Sequence, residues 1–175
     1  MEDAFLIRPA RREDRDALGA LWAALLDEQA ALDVRFAPAE DALERWRNDF
    51  PVWLQDEQQH LVVAEAKGEL VGFITAQRWT PPPVYAEAHE VFIDEAYVRP
   101  EVRGKGIGTR LVEEVKAWAA KLDVDRLRLR MLVANEAGRR FWQRQGAEPF
   151  VATFTIDRDR TAPEATREKK AKLGF

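Results

Sequence analysis

The residues best suited to chemistry lie between Arg103 and Gly108, which read Arg-Gly-Lys-Gly-Ile-Gly. Glycines permit positive φ and let the backbone approach a ligand, and the free amides at a helix N-terminus favour an anion. The run follows an apolar, strand-like segment that ends at Val98, and it opens a helical pattern from Thr109 to Lys121. A strand, a basic glycine turn and a helix N-terminus together predict a phosphate-binding site.

Two common phosphate-binding motifs do not fit this run. A dinucleotide-binding fingerprint that begins at Gly104 needs a third glycine where the chain has Thr109. A P-loop needs a glycine in the place of Arg99 and a hydroxyl residue after Lys105, where the chain has Gly106. What remains is an Arg-x-x-Gly-x-Gly pattern between a strand and a helix.

Acidic side chains precede the glycine turn on the same predicted strand. In a regular strand, alternate residues from Glu90 to Val98 share one face, and this set includes Asp94. Glu95 would then point to the opposite face, unless a β-bulge changes the alternation. A carboxylate can act as a general base, directly or through water, so either Glu90 or Asp94 is a candidate for that role.

Composition excludes several other kinds of chemistry. The chain has no cysteine and no serine, so it lacks disulfides, thiolate zinc sites and serine or cysteine nucleophiles. His60 and His89 are its only histidines and show no metal-ligand spacing, so no metal site is expected. The net charge of −4 gives no support to nucleic-acid binding. The sequence has no hydrophobic run long enough to span a bilayer and no basic N-terminus of the kind that begins a signal peptide. We therefore expect a cytoplasmic location and no role at a membrane.

The hydrophobic pattern predicts a single α/β domain over residues 1–175. A helical crossover joins the fourth and fifth strands, so they are expected to be parallel neighbours. The charged tail, residues 157–175, fits a frayed helix and disorder equally well. The predicted strands are 5–9, 60–65, 70–76, 90–98, 127–133 and 150–156, and the predicted helices are 14–32, 38–51, 109–121 and 135–145.

Arginines alternate along the fifth predicted strand and form one basic face, which comprises Arg126, Arg128 and Arg130. The chain is acidic overall and has no aromatic residues interleaved with these arginines, so a nucleic-acid surface is disfavoured. The pattern favours a solvated or dimer-facing strand surface.

In this context the glycine turn resembles the pyrophosphate-binding motif of the GNAT superfamily, the acyl-coenzyme A N-acyltransferases. The segment Tyr97–Gly108 is close to that family's most diagnostic motif, and Asn135–Trp142, closed by Gly146, resembles its second motif. The likeness extends over residues 5–156. It implies a central, twisted, mixed sheet of about six to seven strands, flanked by about four helices.

The resemblance also implies that acetyl-coenzyme A binds beside the strand before the glycine turn, with its pantetheine arm paired like an extra strand. The following helix would approach the pantetheine at its first residue, which is also an ordinary N-cap position. The implied donor-binding residues are Tyr97, Val98, Arg103, Gly104, Lys105, Gly106, Ile107, Gly108, Thr109, Asn135 and Trp142.

The implied reaction is direct acetyl transfer to a primary amine of a small molecule or peptide, with homodimerisation as a family-level expectation. Family members place acids at the positions of Glu90 and Asp94. The second motif usually carries a tyrosine that protonates the leaving thiolate, whereas this chain has Trp142, which cannot supply a proton near neutral pH. The alternative is a non-catalytic acyl-coenzyme A sensor or assembly module. The first two helices and the loop from Thr80 to Ala86 are expected to shape the acceptor pocket.

Overall fold

The structure is a computed structural model and describes residues 5–82, 84 and 89–156. Among these residues, five β-strands and four α-helices form the fold, with short 3-10 turns between them. None of the described helices has the length and apolar character needed to cross a bilayer. In chain order the elements are β1 (Leu6–Pro9), α1 (Arg15–Leu32), α2 (Ala42–Trp53), β2 (Gln59–Ala66), β3 (Glu69–Trp79), β4 (Glu90–Val98), α3 (Ile107–Lys121), β5 (Arg126–Leu129) and α4 (Glu136–Arg144).

The strands form one sheet in the order β1-β2-β3-β4-β5. All neighbours are antiparallel except β4 and β5, which are parallel, as the helical crossover predicts. The hairpin between β2 and β3 turns at Lys67 and Gly68, whose φ angles of 54° and 80° both lie in the left-handed region. Two successive positive φ values suit the twist of a tight antiparallel hairpin.

Each face of the sheet carries its own hydrophobic core. On one face α3 buries Ile107, Leu111 and Val115 against strand residues that include Val91 and Ile93. The other face is covered by α1 and α2, whose buried residues Leu18, Leu21, Trp46 and Phe50 meet Val63, Phe73 and Tyr97. The sheet is thereby held between two helical layers, and its β4–β5 end carries the predicted site.

Several predicted boundaries need correction. The described residues form five strands instead of the predicted six to seven, because residues 150–156 form no strand. β5 also ends at Leu129 rather than at position 133. Pro51 does not end α2, which continues to Trp53, where the indole packs edge-on against Trp46. The helix predicted from Thr109 begins at Ile107. The charged tail and part of the predicted acceptor loop (83, 85–86) lie outside the described residues.

Candidate active site

The glycine turn leads from β4 into α3 with two glycines in the left-handed region. Gly104 has φ 81° and Gly106, the N-cap of α3, has φ 85°. A Cβ atom built on either glycine would meet no other atom within 4 Å, so the space above this backbone is open. The first turn of α3 carries free amides beside that space, which is the arrangement that accommodates a phosphate group.

The side chain of Arg103 ties this turn to the body of the protein. Its Nε donates to the Val98 carbonyl oxygen at 2.8 Å, and its Nη2 donates to both carboxylate oxygens of Glu28 on α1, at 2.7 and 2.9 Å. The guanidinium also lies 5.5 Å from the ring centroid of Tyr97. Arg103 therefore fixes the course of the turn, and Lys105 is a second exposed cation of the predicted motif.

The N-terminal turn of α3 is packed closely against the C-terminal half of α4. Gly108 faces Phe141 so tightly that an added Cβ would lie 3.0 Å from the ring. Gln145 Nε2 donates to the Thr109 hydroxyl at 3.1 Å, which joins the C-terminal end of α4 to the first turn of α3. The predicted second motif is thus held directly against the glycine turn.

Asn135 is the N-cap of α4, and its Oδ1 accepts a hydrogen bond from the Gly138 amide at 2.8 Å. A Cβ on Gly138 would lie 2.6 Å from Asn135 Nδ2, so the cap requires glycine there. Trp142 is partly buried against the core that α3 shares with the sheet, and it meets Phe141 edge-on, with ring centroids 5.0 Å apart. Trp142 therefore has a packing role in this structure.

β4 contains a β-bulge in the middle of the predicted site. Thr75 of β3 pairs with Glu95, whereas the next residue, Ala76, pairs with Ile93, so Asp94 is the extra residue. The prediction that alternate residues from Glu90 to Val98 share one face is therefore wrong beyond the bulge. Val98 packs on the α3 side together with Val91 and Ile93, whereas Glu95 meets α1.

The bulge also marks the point where β4 and β5 separate. Their parallel pairing covers Glu90 to Ile93 on β4 and ends there. From Asp94 to Val98, the β5-facing edge of β4 has no described strand beside it. An unpaired strand edge that leads into the glycine turn can bind an extended ligand through its backbone.

Asp94 and Glu95 stand side by side at the bulge in different environments. Asp94 is exposed, and one of its carboxylate oxygens accepts from Gln77 Nε2 at 2.8 Å. Glu95 is half-buried and accepts from the Trp22 indole N–H at 2.6 Å and the Thr75 hydroxyl at 3.4 Å.

Desolvation raises the pKa of both carboxyl groups above the ordinary values. For Asp94, whose surface is open, the flanking protein still removes part of the hydration, while the Gln77 hydrogen bond and the charge of Arg130 oppose the rise in pKa. For Glu95, burial raises the pKa, the Trp22 and Thr75 hydrogen bonds oppose the rise, and the neighbouring Asp94 charge adds to it. A carboxylate with a raised pKa is a stronger base than an ordinary one.

Glu90 lies deep in the sheet, with 1% of its side chain exposed. It accepts a hydrogen bond from Arg128 Nη2 at 2.9 Å, and Arg126 Nε lies 3.3 Å away. Arg128 Nε is at ion-pair distance, 2.8 Å from Oε2, although it lacks hydrogen-bond alignment. The Arg128 guanidinium also lies over the rings of Trp79 and Phe150, 4.9 and 4.8 Å from their centroids. Glu90 is thus the centre of a structural ion network between β4 and β5.

A comparison with known families decides how this geometry is to be interpreted. The sequence profile of the Acetyltransferase (GNAT) family matches residues 20–147, which include both motifs, β4 and its bulge. The chain belongs to the GNAT family. The family resemblance predicted from the two motifs is therefore confirmed. Members of this family are acetyltransferases whose donor is acetyl-coenzyme A, and the match does not favour a non-catalytic alternative.

Individual relatives agree with this GNAT assignment. An uncharacterised N-acetyltransferase of Archaeoglobus fulgidus is 28% identical over 77% of this chain and 89% of its own length. The L-2,4-diaminobutyric acid acetyltransferase of Vibrio cholerae is 30% identical over 55% of this chain and 56% of its own. The chain spans about half the length of several curated relatives that it matches.

The fold is shared with solved N-acetyltransferase structures. The aminoglycoside N-acetyltransferase AAC(6′)-Iy, in complex with CoA, superimposes with a TM-score of 0.72. The match covers 89% of this chain and 95% of that one, at 18% sequence identity. The predicted mixed α/β class is confirmed by this shared fold.

Sequence reasoning left one residue pair of this GNAT site undetected. The Trp22 indole on α1 donates a hydrogen bond to Glu95, which lies 73 positions later in the chain. No local sequence pattern predicts a contact between residues so far apart. The sequence left open whether a β-bulge changes the face of the strand that Glu95 occupies. The register of β3 and β4 settles that question, because it turns Glu95 towards α1.

Proposed function

We propose that this GNAT protein transfers an acetyl group from acetyl-coenzyme A directly to a primary amine, with Asp94 as the general base. The observation that carries the proposal is the β4 bulge, which exposes Asp94 beside the unpaired strand edge that leads to the glycine turn. Direct attack suits a chain that contains neither serine nor cysteine for a covalent intermediate.

The donor would be held by backbone groups more than by side chains. The open space above Gly104 and Gly106 fits a pyrophosphate, and the amides of Ile107, Gly108 and Thr109 open α3 beside it. Lys105 would add a cation at the solvent side. Bound there, acetyl-coenzyme A supplies a thioester carbonyl for attack by the amine.

The β4 edge would orient the rest of the donor. Tyr97 and Val98 would offer backbone groups to the pantetheine arm, and Asn135 would lie near it at the start of α4. Amides at the bulge would stabilise negative charge that develops on the carbonyl oxygen during attack. Orientation of amine and thioester by these fixed groups supplies much of the rate.

Among the three acids, Asp94 has the environment that a base requires. One of its oxygens is free of a described hydrogen bond, and its side chain is open to an incoming amine. Glu95 is engaged by Trp22 and Thr75, so we assign it to positioning and to attraction of a cationic acceptor. Glu90, the other predicted base, is enclosed by Arg126 and Arg128, and we assign it to holding β4 against β5.

The coenzyme A thiolate would leave without receiving a proton from residue 142, where this chain has Trp142 in place of the usual tyrosine. An indole N–H donates a hydrogen bond but does not release a proton near neutral pH, and Trp142 is partly buried against the core. The positive end of α4 and water would stabilise and protonate the thiolate instead.

The acceptor would enter between α1 and the β4 bulge. Asp94 and Glu95 favour a cationic amine, and Trp22 also lines a hollow between α1 and α2 with Leu26, Asp27 and Glu40. Diaminobutyric acid, the acceptor in the name of the Vibrio cholerae relative, is an amine of this kind. A cytoplasmic location and a homodimer belong to the same proposal.

The test is thiol release from acetyl-coenzyme A over a panel of diamines, basic amino acids, aminoglycosides and lysine peptides. Donor affinity is measured in parallel by calorimetry. We expect micromolar donor binding together with acetylation of at least one cationic amine, identified by mass spectrometry. Donor binding without turnover on any amine would contradict the proposed reaction, and absence of donor binding would contradict the proposed site.

A further inference from the structure

One arginine of the basic face predicted for the fifth strand has no acidic partner among the described residues. Arg126 and Arg128 are both held by Glu90. Arg130, the residue after β5, forms no hydrogen bond or ion pair with any described residue, and its guanidinium lies over the Phe92 ring, 5.2 Å from the centroid. A guanidinium stacked on an aromatic ring is held in place while its N–H groups stay free for a planar anion.

Arg130 lies opposite Asp94, at the point where β4 and β5 separate. The parallel register pairs Phe92 with Arg128, and the same register continued by two residues places Arg130 level with Asp94. The charge of Arg130 acts on Asp94 in agreement with this placement, because it opposes the rise in the pKa of that carboxyl group. No ion pair joins the two side chains, and the hydrogen bond that Asp94 accepts comes from Gln77. A cation and a carboxylate therefore flank the opening between the strands.

Both charges lie on the face of the sheet that is turned away from α3. Val91 and Ile93 pack on the α3 side, so Phe92 between them points to the opposite face, together with the guanidinium stacked on it. Gln77 is the ladder partner of Phe92 and therefore shares its face, and Gln77 donates to Asp94. This is the face that α1 and α2 cover, and from it the acceptor would approach the bulge.

The donor phosphates would lie too far along the sheet to use this cation. Asp94, level with Arg130, precedes Val98 by four residues, which span about 13 Å of strand, and the glycine turn begins only beyond Val98. Phosphate binding is thus left to the turn, and the Arg130 guanidinium is free to bind the acceptor.

We propose that Arg130 binds a carboxylate on the acceptor, so that the preferred substrate is an amino acid rather than a simple amine. The inference rests on the proposed reaction with Asp94 as the base, and it goes beyond that reaction by naming the substrate class. Asp94 would receive the proton of the attacking amine while the Arg130 guanidinium donates two parallel hydrogen bonds to the carboxylate. Opposite charges that hold the two ends of one molecule also orient its amine for attack.

The charges on this face favour a zwitterionic acceptor over a purely cationic one. An amine without a carboxylate would place its own ammonium group near Arg130, and like charges a few ångströms apart repel. A carboxylate on the acceptor offsets that repulsion and gains charge-assisted hydrogen bonds, which are about twice as strong as neutral ones. We expect this gain to appear as a preference of about 10- to 100-fold in kcat/KM for the amino acid.

Matched pairs of acceptors test the carboxylate site. Lysine is compared with cadaverine, and ornithine with putrescine, because each pair differs only by the carboxylate; kcat/KM is measured at a pH where kcat no longer changes. We expect a wild-type ratio of amino acid to diamine of at least about 10, which falls at least about 10-fold in Arg130→Gln. Arg130→Lys should keep part of the preference, because it retains the charge but lacks the planar fork. A wild-type ratio near 1, or an unchanged ratio in Arg130→Gln, would overturn the carboxylate site, although acetylation of either acceptor would still uphold the proposed reaction.

Arg78→Gln is the matched control for the loss of charge. Arg78 is an exposed arginine on β3, and its ladder partner Val91 packs on the α3 side, so this substitution removes the same charge from the opposite face of the sheet. The variant should keep the wild-type ratio. An equal fall in Arg78→Gln and Arg130→Gln would overturn the inference, because net charge rather than a carboxylate site would then set the preference.

Failure of the proposed reaction is recognised separately. If no amine is acetylated, calorimetric titration of lysine and of cadaverine into the protein with coenzyme A gives the same comparison as a ratio of dissociation constants. We expect lysine to bind at least about 10-fold more tightly, and Arg130→Gln to remove that difference. Equal dissociation constants for the two compounds in the wild-type protein would overturn the carboxylate site, whatever the assay for turnover shows.

Discussion

Replacing Gly106 by aspartate separates donor binding from folding at the glycine turn. Gly106 has φ 85°, and an added Cβ would meet nothing within 4 Å. The variant therefore has no steric clash in the free protein. Its folding penalty comes from the left-handed conformation alone, about 1 kcal/mol for a residue that tolerates that region.

The effect on donor binding is larger because the new carboxylate stands where the pyrophosphate would approach. For one phosphate charge about 5 Å away, at an effective dielectric constant of about 20, the repulsion is about 3 kcal/mol. That energy corresponds to a roughly 200-fold rise in Kd for acetyl-coenzyme A. The neutral variant Gly106→Asn has the same size, so the difference between the two variants isolates the charge.

Gly68→Asp provides the matched control for this comparison. Gly68 has φ 80° and the same open surroundings, but it lies in the β2–β3 hairpin. Calorimetric titration should give a wild-type Kd for Gly68→Asp, although both aspartate variants lose similar thermal stability. The difference between Gly106→Asp and Gly106→Asn should shrink as salt is raised. A Kd for Gly106→Asp within three-fold of that for Gly68→Asp would refute the assignment of the turn.

Three further substitutions probe the site by stability. Glu90→Gln should lower the free energy of unfolding by about 2–4 kcal/mol in a urea titration, because Arg126 and Arg128 lose their carboxylate partner. A loss below about 0.5 kcal/mol would contradict the ion network between β4 and β5. Glu95→Gln keeps a hydrogen-bond acceptor for Trp22 but removes the titratable carboxyl group. Because the pKa of Glu95 is raised in the folded protein, wild-type stability falls as the pH rises through that raised pKa. The variant should therefore melt a few degrees higher at pH 7, with a difference that disappears in acid, and equal melting temperatures at both pH values would contradict this. Gly138→Ala forces the Asn135 side chain away, and the lost N-cap of about 1 kcal/mol offsets the helix-propensity gain of about 1 kcal/mol that alanine brings, so the unfolding free energy should stay nearly unchanged and a full gain of about 1 kcal/mol would contradict the N-cap.

Much of the fold could be predicted because it rests on local patterns. The β2–β3 hairpin follows from alternating apolar residues around Lys67 and Gly68, and β4 runs from Glu90 to Val98 as predicted. The parallel pairing of β4 and β5 follows from the helical crossover between them. The failed strand, residues 150–156, shows the limit of such patterns, since β-propensity becomes a strand only where a partner strand is available.

The backbone geometry of the glycine turn was predictable from the sequence, whereas the environments of the acids on β4 were not. Gly104 and Gly106 can be recognised from the sequence because only glycine adopts their φ angles without strain. The roles of the acids depend on tertiary structure. Glu90 is enclosed by arginines that lie 36 and 38 positions later in the chain, and the bulge at Asp94 changes which face Glu95 occupies. A one-residue irregularity of this kind reverses the alternation and leaves no trace in composition.

The most direct test of Asp94 as the base is the pH dependence of kcat for wild type and Asp94→Asn, with the best acceptor from the amine panel. Wild-type kcat should rise with pH along an acidic limb that lies above the ordinary aspartate range, because partial desolvation by the flanking protein raises the pKa of Asp94. Asp94→Asn should lose that limb and about 10²–10⁴ in kcat, with donor affinity unchanged. An Asp94→Asn variant that keeps kcat within two-fold and the same acidic limb would contradict the assignment of the base.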